Sequence, residues 1–324
     1  MTSRSVSLTG ATGFLGWHLA TAFMRAGWHV RAIVRPGNTK PLPDGPGSID
    51  SRESALHAKS LAQAIAGTDV LVHAAALVRA GNEDLLRAVN VDGTRAVVDA
   101  ANATGTRMVF ISSQAAHGSG TPAHPAREDG TPHPITPYGR SKLAAEEHIR
   151  SAARIPWTIL RPSAIYGPRD RGFLQLFKLA SRGRFLLVAP PQNAFTLIHV
   201  DDAVRAVVDA ADHPRAVGET FFVGHPEPQT ADAILRQLAQ VYGYPYTPRR
   251  VPSIAIHALA AAGDLAWRLG VEPMFDSSRR IELNAEGFVC AVDRASERIG
   301  FTAATAPAEG LARTAEWYRT ERWV

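Results

Sequence analysis

The sequence predicts an α/β fold, a doubly wound parallel sheet with a smaller C-terminal part. Three observations predict it. A short apolar strand, a glycine-rich turn, a helix and a second apolar strand follow one another within the first 34 residues. Apolar runs of strand length then alternate with helical runs as far as Leu160. Such alternation builds a parallel sheet with helices on both faces. Residues 166–324 read as a mainly helical remainder.

The elements follow in order. Residues 6–8 form a short buried strand, which runs into Thr9-Gly10-Ala11-Thr12-Gly13-Phe14-Leu15-Gly16. The next helix carries Leu15, Leu19, Ala22 and Phe23 on its apolar side and ends at Gly27; residues 30–34 are the second strand. The three glycines have separate physical tasks in such a unit. Gly10 permits the tight turn, Gly13 lets a pyrophosphate approach the backbone, and Gly16 permits close helix–strand packing. Free N–H groups at the helix start suit phosphate. A dinucleotide site is therefore expected at Gly10, Thr12, Gly13, Phe14, Leu15 and Gly16. The residue at the end of the second strand reads the ribose, and here it is Arg35. An acidic residue there bonds the 2′-hydroxyl of NAD, whereas an arginine suits a 2′-phosphate, so NADP is favoured over NAD.

Residues 36–52, rich in Pro, Gly, Ser and Asp, read as a loop, and 60–66 as a helix closed by Gly67. Residues 69–76 form a buried strand ending in Ala74, Ala75 and Ala76, small enough for a ribose or nicotinamide to lie close. His73 has no metal-ligand spacing around it and reads as a packed histidine; no metal site is expected. A helix over 85–101 carries Asn90, and the strand at 108–111 stops at Ser112-Ser113. Ligands of doubly wound sheets sit at such carboxyl ends. Pro137 then opens a helix that places Tyr138 and Lys142 one turn apart on one face. A cation beside a phenol favours phenolate, so the pair suits proton transfer. The chain has only four lysines (Lys40, Lys59, Lys142 and Lys178), which makes one at this place notable. A strand at 157–160 completes the alternation.

Composition excludes other classes. With 324 residues, 45% hydrophobic and 20% charged, the chain has the balance of a soluble globular protein. Its net charge of +5 comes from scattered arginines without a basic block or an aromatic ladder, so nucleic-acid binding is not expected. Cys290 stands alone, which excludes an internal disulfide. Strand-like residues begin at Ser5 and no run of about 18 apolar residues occurs. We expect no membrane span and a cytoplasmic location.

The combined motifs resemble the extended short-chain dehydrogenases/reductases, of the NAD-dependent epimerase/dehydratase superfamily. The resemblance rests on the 9–16 turn, His73-Ala74-Ala75-Ala76, Asn90-Val-Asp-Gly-Thr94 and Ser112-Ser113. It continues through Tyr138-Gly-Arg-Ser-Lys142, Arg161-Pro162-Ser163-Ala-Ile-Tyr-Gly-Pro168 and Ile198-His-Val-Asp-Asp202, over nearly the whole chain. It implies a Rossmann domain at 1–165, joined by 196–224, and a substrate domain at 166–324. It implies Tyr138 as acid/base, Lys142 lowering its pKa and holding the ribose, and Ser113 orienting the substrate oxygen. Asn90 would hold backbone or water near the cofactor, with Ser112, Pro162 and Ser163 along the cofactor's path. It also implies a homodimer packed through the helices of Asn90 and Tyr138. One departure concerns adenine: the usual Asp-Leu after the third strand has Ala55-Leu56 as its counterpart.

For the substrate, two residues are informative by what they lack. Similar nucleotide-sugar enzymes hold the diphosphate with an Asn and an Arg where this chain has Ala164 and Phe195. A diphosphate without charge-assisted partners binds poorly, although Arg169, Arg171 and Arg184 could substitute. Residues 252–270 form a helix or helix pair with a wide apolar face. It resembles the region that the 3β-hydroxysteroid dehydrogenase-like branch lays over an apolar substrate; core packing is an equal reading. A membrane-surface helix is a third, disfavoured by the lack of a basic polar face. Phe173, Phe177, Phe185, Phe195 and Trp267 are candidates for an apolar pocket. The expected function is NAD(P)-dependent interconversion of a secondary alcohol and a ketone on a fairly apolar small molecule. Epimerisation or dehydration of a nucleotide sugar with bound NAD is the alternative, and a non-catalytic NADP-binding sensor the second.

Overall fold

The computed structural model describes residues 4–324. Within them, seven parallel strands form one sheet. The first half alternates strand and helix except that β3 follows β2 directly: β1 (Ser5–Thr9), α1 (Phe14–Arg25), β2 (His29–Val34), β3 (Ile49–Glu53), α2 (Ala58–Ile65) and β4 (Val70–His73). Then come α3 (Glu83–Leu86), a π-helical turn (Arg87–Asp92), α4 (Gly93–Thr104), β5 (Arg107–Ile111), α5 (Pro137–Ala152) and β6 (Trp157–Pro162). The sheet order is β11-β6-β5-β4-β1-β2-β3, where β11 (Glu219–Val223) comes from the second half of the chain. The chain therefore runs outward from β1 in one direction, crosses back, and runs outward in the other. The crossing leaves a crevice beyond the carboxyl ends of β1 and β4, where doubly wound folds bind ligands. The central strands are buried on both faces, as their apolar runs require. One core layer packs α1 and α7 (Val200–Asp212) under the sheet, including Leu19, Phe23, Val204 and Val207. The other packs α2, α4 and α5 above it, including Leu61, Val97 and Ile149.

The second half is mostly helical. It contains β7 (Ala164–Tyr166), α6 (Leu174–Ala180), β8 (Leu186–Leu187), β9 (Ala194–Phe195), β10 (Leu197–His199) and α7 (Val200–Asp212). Next come β11 (Glu219–Val223), which returns to the sheet beside β6, then β12 (Gln229–Thr230), α8 (Ala231–Tyr242) and β13 (Arg249–Arg250). The chain closes with α9 (Ser253–Arg268), α10 (Ser277–Asn284), α11 (Asp293–Ile299) and α12 (Pro307–Thr320).

Four expectations need correction. The loop assigned to 36–52 ends in an edge strand, β3, whose exposed polar residues mask it. The single helix expected over 85–101 is α3, a π turn and α4. Strand β4 stops at His73, so Ala74, Ala75 and Ala76 lie beyond it in the crevice loop. Phe177 and Phe185 are fully buried in the core of α6, α8 and α12, with Phe173 and Phe195 packed against them, and so form an interior rather than a pocket.

Candidate active site

The glycine turn is built by close approach. Gly10 has a positive φ of 80°, and the Gly13 N–H donates to its carbonyl at 2.9 Å. A Cβ on Gly16 would stand 2.0 Å from the Gly10 carbonyl oxygen, so only hydrogen fits there. A Cβ on Gly13 would meet only the Gly10 carbonyl oxygen, at 3.3 Å. The turn is thus packed beneath at Gly16 and open above at Gly13. Helix α1 starts without a capping side chain and without an acidic residue in its first turn. Its first N–H groups are left for an anion. Arg35 follows β2 directly and is exposed. These features fit a dinucleotide pyrophosphate at Gly13, Phe14 and Leu15.

The crevice loop after β4 is held by two hydrogen-bond chains. In the first, the Ala75 N–H donates to Thr9 Oγ1 at 3.2 Å, and Thr9 Oγ1 lies 2.7 Å from His73 Nδ1. On the far side His73 Nε2 lies 3.1 Å from Thr94 Oγ1, which donates to the Asn90 carbonyl at 2.6 Å. Every donor is satisfied if His73 carries its proton on Nε2. Burial pushes its pKa down to about 3, so the ring is neutral and structural. In the second chain Asn90 Oδ1 accepts from the Leu77 N–H, and its Nδ2 donates to the Leu77 carbonyl, both at 2.8 Å. Asn90 Nδ2 also reaches Ser141 Oγ at 2.9 Å, and that hydroxyl donates to the Tyr138 carbonyl at 2.7 Å. Asn90 therefore couples the crevice loop to the helix of Tyr138.

Helix α5 starts at Pro137, where Thr136 Oγ1 caps the Gly139 N–H at 3.2 Å. Gly139 lets this start lie against the turn after β5: a Cβ there would be 2.2 Å from the Ala115 carbonyl oxygen. Ser113, which opens that turn, acts on the Tyr138 phenol from this side. Burial pushes the phenol up to about 12, partly offset by Ser113. Lys142, one turn on, is 2% exposed. Its Nζ donates to the Ile111 carbonyl at 2.6 Å and sits 4.2 Å from the Phe110 ring centroid. Burial lowers its pKa to about 7, with the Glu146 carboxylate acting in the opposite sense. The sequence reading had Lys142 lowering the tyrosine's pKa. Here Nζ is turned to Ile111, and desolvation of the phenol prevails.

One residue of the site escaped the sequence reading. Glu146, two turns beyond Tyr138, is 0% exposed. It accepts from Ser112 Oγ at 2.5 Å, from Arg161 Nε at 3.0 Å and Nη2 at 2.7 Å, and from Arg150 at 2.8 Å. These donors hold its carboxyl below the usual range against the opposing effect of burial. Glu146 ties the carboxyl ends of β5 and β6 to α5. The only sequence signal was its place in the series Tyr138, Lys142, Glu146, each four residues apart. Ser163, just past β6, is buried with an Oγ that meets no partner among the described residues. An orphaned hydroxyl at a strand end suits a bound amide or ribose. No group of His, Cys, Asp or Glu among the described residues is arranged to hold a metal ion.

Comparison with known proteins agrees with this geometry. The sequence profile of the NAD dependent epimerase/dehydratase family matches residues 6–224. A ceramide reductase of Caulobacter vibrioides is 31% identical over 322 residues, 98% of this chain and 96% of that protein. A 4-hydroxy-2-methyl-3-oxo-4-farnesyl-3,4-dihydroquinoline-1-oxide ketoreductase of Stigmatella aurantiaca is 29% identical over 94% of this chain and 93% of its own length. Among solved structures, MoeE5 in complex with UDP-glucuronic acid and NAD superposes with a TM-score of 0.78. It is 25% identical, covering 98% of this chain and 99% of that one. The glycine turn, the strand order and the matched span together place this chain in the NAD dependent epimerase/dehydratase family.

Proposed function

We propose that this protein is an NAD(P)-dependent reductase or dehydrogenase that interconverts a ketone and a secondary alcohol on a fairly apolar small molecule. What supports the reading is Ser113 acting on the Tyr138 phenol, with Lys142 one helical turn on, together with Ala164 and Phe195 where diphosphate anchors are expected. The two relatives named as reductases, of a ceramide and of a farnesylated quinoline oxide, support an apolar substrate.

The bound cofactor supplies the hydride. Gly10, Gly13, Phe14 and Leu15 would hold its pyrophosphate, with Thr12 at the turn. Arg35 would hold a 2′-phosphate, which favours NADP. Ala74, Ala75 and Ala76 leave room for the ribose and nicotinamide, and Pro162 and Ser163 would meet its amide. Ser113 orients the substrate oxygen and Tyr138 donates or accepts its proton. Lys142 carries the ribose hydroxyls once its Nζ leaves the Ile111 carbonyl. We assign 1–165 and 196–224 to the cofactor and the remainder of 166–324 to the substrate.

The competing reading is a nucleotide-sugar epimerase that keeps NAD bound, favoured by the likeness to MoeE5. One experiment separates them. The purified protein is denatured, its nucleotide content measured, and turnover of NADPH and NADH followed with long-chain ketones. We expect an empty protein that prefers NADPH, a preference that Arg35→Asp abolishes. Stoichiometric tightly held NAD would sink the reductase reading, and an unchanged preference in Arg35→Asp would sink the 2′-phosphate assignment.

A further inference from the structure

The hairpin of α9 and α10 has one side toward the chemistry and one toward solvent. Glu282 on α10 is near enough to Tyr138 for its charge to act on the phenol. Helix α9 packs on α10 through Ile256, Ala260 and Gly263, with the Gly263 position only 1.9 Å from the Phe275 carbonyl oxygen if it bore a Cβ. Arg79 fastens the hairpin to the crevice loop, donating to Asp276 at 2.8 Å. The outer face of α9 is bare. Ile254, Leu259, Leu265, Leu269, Val271 and Met274 are 55–79% exposed, and they make up six of the ten large apolar side chains exposed among the described residues. Ala255, Ala258, Ala261 and Ala262 are exposed as well, whereas Ala260 is buried. A contiguous patch of this kind marks a contact surface.

Its border is basic. Arg249, Arg250 and Arg268 are exposed and form no ion pair among the described residues. Between 249 and 275 Glu272 is the one exposed carboxylate. The sequence suggested no basic polar face on α9; Arg268 is the one arginine on the helix, and Arg249 and Arg250 on β13 shortly precede its start. A second copy on this face would set like charges against each other across a two-fold axis. An anionic surface would not. No helix among the described residues is long and apolar enough to cross a membrane.

We propose that α9 seats the protein on an anionic lipid surface. Ile254, Leu259, Leu265 and Leu269 enter the headgroup–acyl boundary, and Arg249, Arg250 and Arg268 meet the head groups. Helix α10 then stands between the bilayer and Tyr138, so a lipid-soluble carbonyl compound can enter without crossing water. That last step rests on the function proposed above; the docking does not.

The test is flotation of the purified protein with vesicles, without substrate or cofactor. Wild type is expected to float with phosphatidylglycerol-containing vesicles, less in high salt, and weakly with pure phosphatidylcholine. Leu259→Ser with Leu265→Ser should abolish flotation at unchanged Tm, since both side chains are exposed. Arg249→Gln with Arg250→Gln should weaken it roughly 30-fold, at about 1 kcal/mol per charge near the surface. A wild type that never floats overturns the proposal. So does light scattering in which the leucine variant alone turns a dimer into a monomer, since a second copy then covers the face. A protein that floats yet reduces no carbonyl compound upholds the docking and removes the substrate reading.

Discussion

Glu146→Ala removes the acceptor shared by Ser112, Arg150 and Arg161. Arg161 is 1% exposed, and its remaining contact is the Phe222 ring, 5.4 Å away. The variant therefore leaves a guanidinium buried without its counter-charge. Breaking a buried pair from one side costs about 3–5 kcal/mol. At about 2 °C per kcal/mol for a chain of this size, Tm should fall by about 6–10 °C. The sign with pH follows from the depressed carboxyl: its contribution is complete above the ordinary value of 4.5 and is lost as pH falls through the lower folded value. The Glu146 carboxyl itself adds no slope above about pH 6, but Lys142, near 7 and supported by this carboxylate, should widen the gap as pH falls through about 7. Glu146→Leu with Arg161→Met removes both charges and keeps volume, so it should lie within about 2 kcal/mol of wild type, far from the sum of the single losses. Thermal unfolding followed by circular dichroism reads all of this. A loss below about 1 kcal/mol in Glu146→Ala, or a double variant no better than the single ones, would refute the buried-network reasoning.

The other expectations concern the site. With the phenol near 12, Tyr138 stays protonated at neutral pH, so ketone reduction should vary little with pH while alcohol oxidation should rise about tenfold per unit. Tyr138→Phe should lower kcat by about 10²–10⁴ in both directions with cofactor affinity kept, and a pH slope that survives in it would exclude the tyrosine as its source. Gly16→Ala should fold poorly or lose dinucleotide binding, because its Cβ has no room at 2.0 Å from Gly10; wild-type affinity by fluorescence titration would contradict this. Asn90→Ala leaves three hydrogen bonds at Leu77 and Ser141 unmade, about 3 kcal/mol together, and should raise the cofactor KM as the crevice loop loosens. A KM unchanged in that variant would detach the loop from the cofactor.

The sequence disclosed most where structure is local. The unit from Val6 to Val34 was legible because strand, glycine turn and helix periodicity are all written in adjacent residues. Strand β3 was hidden because an edge strand needs no apolar face: Ile49-Asp-Ser-Arg-Glu53 is paired on one side and wet on the other. The π turn at Arg87–Asp92 was hidden because widening one turn leaves composition untouched. Glu146 passed without a reading of its own, since its burial is decided by Arg161, fifteen positions away on another element. Phe177 and Phe185 read as pocket walls because an aromatic residue looks the same whether it lines a cavity or fills a core. The exposed face of α9 was ambiguous for the same reason: apolar positions reveal an appetite for contact but do not name the partner.

The contact of Gly139 with the Ala115 carbonyl has a consequence for how such a protein can change. Tyr138 is held from beneath by backbone: the Thr136 cap, the Gly139 approach and the Ser141 bond to its own carbonyl. Nothing from the α9–α10 hairpin takes part in those restraints; Glu282 acts on the phenol only through its charge. The hairpin reaches the tyrosine's helix at a remove, through Arg79, the crevice loop and Asn90. On the function proposed above, drift on the hairpin's surface would retune which molecule is admitted while the cap and the Gly139 approach that set the phenol stay as they are.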